Sequence, residues 1–124
     1  PVVMAAVRAG VPMQGGNLTR AELRTAMGLA RWDDTVPASA RERLVYAVRD
    51  GHCGLVPEAQ LPAMARMQIA RDDALAATIA ASAHGASSEA VVLLLTGAMH
   101  ASRATGVPLH LPRHAPSLAV RSTA

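Results

Sequence analysis

A chain of 124 residues is one domain at most, and 51% apolar residues are enough to form a core rather than remain disordered. The formal charge is +3 and only 2% of residues are aromatic; scattered arginines without stacking aromatics argue against nucleic acid as a partner. No apolar run approaches the roughly 20 residues of a membrane-spanning helix, and the single Cys53 excludes an intrachain disulfide.

The chain has no Phe, one Trp, one Tyr and no Lys, so Ala, Val, Leu and Met must fill its core. It shows no signal-peptide pattern, and its first residue, Pro1, leaves an upstream targeting segment open. Residues 1–9 read as the end of a helix stopped by Gly10, followed by a short strand over 11–16. Thr19 and Glu22 have capping-box spacing, and Leu18 and Leu23 the spacing of a hydrophobic staple, so a helix starts there. Its buried face is expected to carry Leu23, Met27 and Ala30.

A loop over 32–38 contains two acids and Pro37. Ser39 and Glu42 repeat the capping-box spacing and predict a second helix with an apolar stripe of Ala40, Leu44, Ala47 and Val48. Tyr46 falls out of phase with that stripe, and the helix is broken at Gly51-His52-Cys53-Gly54. A third helix is expected from Pro62 to about Ser82, with Met64, Met67, Arg71 and Leu75 sharing a face. Gly85 to Ser88 reads as a loop.

The run from Ala90 to Thr96 is continuously apolar and suits a strand covered on both faces, as in a parallel sheet. Gly97-Ala98-Met99-His100 leads into a short helix to Thr105. Residues 107–112 alternate, and 118–121 reads as the start of a last strand. Two or three strands do not complete a parallel sheet. The expected fold is therefore α/β: a partial parallel sheet flanked by helices, in an incomplete domain whose other strands lie elsewhere.

Ligands in open α/β sheets sit beyond the carboxyl ends of the strands, which here would place Asn17 and His100 at such a site. His52 and Cys53 lie between two glycines that permit a tight turn and close approach; a structural turn with a half-buried Cys is the plainer reading. His110 and His114 are four apart, but Pro112 argues against the helix that would align them as a zinc pair. His84 falls at a helix end, where it would be solvated. Arg71 on an apolar stripe should meet a carboxylate, either a structural partner or a ligand's. Asp72 and Asp73 project in different directions and do not form a paired-carboxylate site. Met64 and Met67 suit a core as well as a cofactor wall. Tyr46 is either a surface residue or a phenol held for a ligand. No nucleophile elbow, phosphate loop or dinucleotide fingerprint is present.

Three stretches taken in order resemble one family: Gly51 to Pro57, Met64 through Arg71-Asp72 to Ala76, and Leu95 to His100 continuing to Leu109. They are similar to the ChaN-type haem-binding bacterial lipoproteins of the Tiki superfamily, and Val11-Pro12-Met13 to Arg20 fits the same pattern. The resemblance covers nearly all of this chain and the later half of the family's domain. It implies a parallel sheet with a small helical insert, here about 32–67, and an outer-membrane lipid anchor upstream. It also implies a role in iron uptake, with haem bound at a dimer interface through a tyrosine. Gly97 and His100 match the later Gly-x-x-His of Tiki-type metallopeptidase-like domains, but Ala98 and Met99 stand between them, and the earlier Glu and His motif is absent.

The expected function is non-catalytic haem binding. Tyr46, His52 and His100 are the candidate axial ligands, Met64 and Met67 candidate walls, and Arg71 a candidate propionate partner. Tyr46 and His100 are the candidate metal ligands. The alternative is a metal-dependent hydrolase-like domain that takes His100 as one ligand of a divalent ion. The expected partners are haem and either a second copy or the rest of the sheet.

Overall fold

The computed structural model describes residues 1–84, 86–87 and 90–123. Its helices are α1 (Val2–Arg8), α2 (Arg20–Gly28), α3 (Ala38–Gly51), α4 (Leu61–His84), α5 (Ala98–Ala101) and α6 (Leu111–His114). Short 3-10 turns lie at Ala30–Asp34, Glu58–Gln60 and Val107–Leu109. Gly85 and Ser88, which bound the loop expected there, fall outside the described residues.

Among the described residues there is no strand, so the α/β expectation is corrected: the architecture is helical. Residues 11–16 are irregular, Val107–Leu109 is a 3-10 turn, and 90–96 and 118–121 have no regular secondary structure. A run of apolar residues favours an extended backbone, but a strand exists only where a second backbone accepts and donates its hydrogen bonds. Nor is the 90–96 run covered on both faces. Val91, Leu93 and Leu95 are exposed, whereas Val92 and Leu94 are half-buried.

The helical expectations fare better. Thr19 Oγ1 accepts from the Glu22 amide while Glu22 accepts from the Thr19 amide at 2.7 Å, closing the capping box of α2. This helix buries Ala26, with Leu23 and Met27 flanking it, while Ala30 is exposed in the following turn. Helix α3 starts one residue before Ser39, and no side chain caps it. Ala40, Leu44 and Val48 are buried and Tyr46 is exposed, as the stripe predicts.

Helix α4 is the spine, roughly 36 Å long at 1.5 Å per residue. It buries Leu61, Ala65, Ile69, Ala70, Asp72, Leu75 and Ala76. The expected face of Met64, Met67 and Arg71 lies beside this stripe and is half-buried. Its first half packs on α3 through Val36, Ala40, Leu44, Ala65 and Ile69. Its second half joins Leu75 and Ala76 to Val107 and Leu111, with Leu94, Leu118 and Val120 against them. The C-terminal segment is thus held to the spine by side chains. Arg66 fixes the neighbouring turn through a two-pronged bond to Asp33, at 3.0 and 2.7 Å.

Candidate functional site

Consecutive residues on an α-helix point about 100° apart, so Asp72 and Asp73 reach different neighbours. Asp72 is 1% exposed, and its Oδ1 lies 2.5 Å from His100 Nδ1. Burial pushes the Asp72 carboxyl up from the ordinary range, and the His100 hydrogen bond opposes this. His100 stands in α5, whose first turn is closed by the His100 amide donating to Gly97 O at 3.0 Å. Gly106 is buried against that turn. A Cβ there would lie 2.7 Å from the Met99 carbonyl oxygen and closer still to that of His100, so only glycine fits.

His52 ends α3. Its Nδ1 is 2.7 Å from the Val48 carbonyl oxygen, which can only accept, so Nδ1 carries the hydrogen and Nε2 of the neutral ring is bare. The chain then turns sharply through Cys53 and Gly54, both left-handed at φ 54° and 69°, with the Gly54 amide bonded to Arg49 O. Cys53 is exposed rather than half-buried.

These two histidines, contributed by α3 and α5, line one cleft of about 190 Å3. Leu44, Ala47, Val48 and Met99 supply its apolar walls, and Gln68 and Asp72 its other polar groups. Both imidazoles have Nδ1 occupied, one by a carbonyl and one by a carboxylate. Each ring therefore has Nε2 as its remaining nitrogen. Arg71 Nη1 donates to Gln68 Oε1 at 3.3 Å, which places the guanidinium beside the cleft, and its buried Nε has no partner. The carboxylate expected opposite Arg71 is not found among the described residues; a glutamine oxygen takes that place.

Of the residues singled out from sequence, the fold thus brings together His52 and His100, with Arg71 adjacent. Tyr46 is 65% exposed on α3, and Met64 and Met67 are half-buried on α4; none of the three lines the cleft. Asp72 was passed over. Its signal was available, since Ala65, Ile69, Asp72 and Ala76 follow the i+4, i+3, i+4 spacing of one buried helical stripe.

Asp73 gathers a second group. His114 Nε2 is 2.9 Å from its Oδ1, with Arg113 Nη1 at 3.5 Å and His110 Nδ1 at 3.4 Å. Pro112 does not prevent this, because it occupies the first turn of α6, where its missing amide costs nothing. His110 is fully buried and neither ring nitrogen makes a hydrogen bond. Burial pushes it below the ordinary histidine range, against the attraction of Asp73 and Asp72. His84 is exposed. Among the described residues no three His, Cys, Asp or Glu side chains converge as a metal cage. A larger hollow of about 340 Å3 lies between α2 and the Ala30–Asp34 turn. Its one acid, Glu22, is already engaged with Thr19.

A family profile described as haem-binding uptake, Tiki superfamily, ChaN matches residues 1–111. The chain belongs to that family, and haem binding in uptake is the function its description carries. No curated protein and no solved structure matches the chain significantly.

Proposed function

We propose that the chain binds haem at the cleft between α3, α4 and α5, with His52 and His100 as nitrogen donors to the iron. The observation that carries this reading is the pair of imidazoles lining one cleft, each with its Nδ1 engaged by an oxygen and its Nε2 without a hydrogen-bond partner among the described residues. Neutral imidazole is a common iron ligand, and Met99, Leu44 and Val48 suit a porphyrin edge. The cleft is smaller than the about 300–1,000 Å3 of an enclosing ligand pocket, so the ring is seated at the surface rather than swallowed. Arg71, with its unpartnered Nε, is the group offered to a propionate. Pairing with a second copy and attachment to the bacterial outer membrane belong to the same reading.

Haem would supply the iron; the protein's part is to hold two imidazole rings in a fixed tautomer and to line the cleft with apolar side chains. The test is a haemin titration followed by the Soret band, comparing wild type with His52→Gln, His100→Gln and Tyr46→Phe. Saturable binding lost by about tenfold or more in each histidine variant, and kept in Tyr46→Phe, is the expected result. Loss in Tyr46→Phe alone transfers the ligand role to the phenol. Saturable zinc binding without any Soret response favours the metal-ion alternative.

A further inference from the structure

The buried carboxylate of Asp72 has no role in closing the core: an apolar residue at that point in the Ala65, Ile69, Ala76 stripe would pack without desolvating a charge. It is kept in contact with one ring nitrogen of a residue that lines the cleft. We propose that Asp72 is a positioning residue that holds His100 in the Nδ1–H tautomer, aims its Nε2 into the cleft and strengthens it as a donor; as regards the iron, this rests on the haem reading above.

Three features support the assignment. Asp72 Oδ1 and His100 Nδ1 lie 2.5 Å apart, in direct hydrogen-bond contact. The two residues come from different elements, α4 and α5, so the bond fixes the short α5 turn to the spine at the point where its histidine enters the cleft. His52 Nδ1 donates to a neutral carbonyl of its own helix, whereas His100 Nδ1 faces a carboxyl from another helix, so the two imidazoles of one cleft have different partners. A carboxylate behind a ligating histidine fixes its tautomer and raises its ligand basicity, and removing such a partner costs about 10–100-fold in metal affinity.

The experiment has two arms. In the ligand-free protein, 15N imidazole NMR reads the tautomer of His100 directly. The expected result is Nδ1–H in wild type and a shift toward Nε2–H in Asp72→Ala. An Nε2–H tautomer in wild type, or an unchanged tautomer in a folded Asp72→Ala, overturns the proposal whether or not haem binds. In the haemin-loaded protein, Asp72→Asn is expected to bind about 10–100-fold more weakly at unchanged stoichiometry, with a raised ferric/ferrous midpoint potential, because a weaker donor favours ferric iron less. Unchanged affinity and potential in Asp72→Asn overturn the role toward iron. Wild type that binds no haemin yet shows the Nδ1–H tautomer sinks the haem reading and keeps the positioning of His100.

Discussion

Asp72 and His100 lie 28 residues apart and meet through a 2.5 Å contact in which the aspartate is almost wholly buried and the histidine reaches solvent. Removing the histidine leaves a desolvated carboxylate with no partner. His100→Ala is therefore expected to destabilise the fold by about 3–5 kcal/mol, measured by urea denaturation. The loss should shrink in acid. The Asp72 carboxyl is already raised by burial, and a raised acid contributes stability that is full below its unfolded value and is lost as pH rises through its folded value. A double variant with Asp72→Asn should recover part of the loss, because the orphaned charge is gone.

Gly106 touches the backbone of the α5 turn so closely that a methyl group has no room. Gly106→Ala must push the Met99–His100 turn away from the 3-10 turn at Val107–Leu109. The expected cost is about 1–3 kcal/mol, with haemin affinity reduced as well, because His100 moves with its backbone. Thermal unfolding and the Soret titration together check this. Gly28→Ala, whose Cβ meets nothing within 4 Å, is the control and should lower neither stability nor affinity.

Burial lowers the pKa of His110 against the attraction of Asp73 and Asp72, with Arg113 nearby. Its pKa lies below the unfolded value of about 6.5, so its contribution to stability is full above that value. It is lost as pH falls from about 6.5 through the folded value, because the unfolded chain takes up the proton first. Wild type should therefore lose stability between pH 7 and 5 more steeply than His110→Gln. Denaturant midpoints at half-unit pH steps test this, and parallel curves for the two proteins would show that His110 does not titrate on unfolding.

Val91 and Leu93 are 89% and 76% exposed, while Leu94 of the same segment packs on the second core cluster. Exposed apolar side chains grouped on a surface promote association. Val91→Lys with Leu93→Lys is expected to lower self-association in sedimentation velocity while leaving the melting temperature within about 2 °C, since surface changes usually stay within about 0.5 kcal/mol.

Local patterns settled much of the helical part. The Thr19–Glu22 box, the Ala40/Leu44/Val48 stripe, the exposed Tyr46 and the long third helix are all short-range consequences of side-chain spacing, and these are decided within a few residues of the chain. The ordered motifs around His52, Asp72 and His100 also identified the family. Tertiary structure alone decided the rest. Whether 90–96 is a strand depends on a second backbone to pair with, which no apolar run encodes, and none is present among the described residues. The meeting of His52 with His100, and of Asp72 behind it, depends on how α3 and α5 pack across α4. The sequence shows that Asp72 and Asp73 point in different directions but not that Asp72 is buried, because charge is visible in a sequence whereas burial is a property of what folds over it.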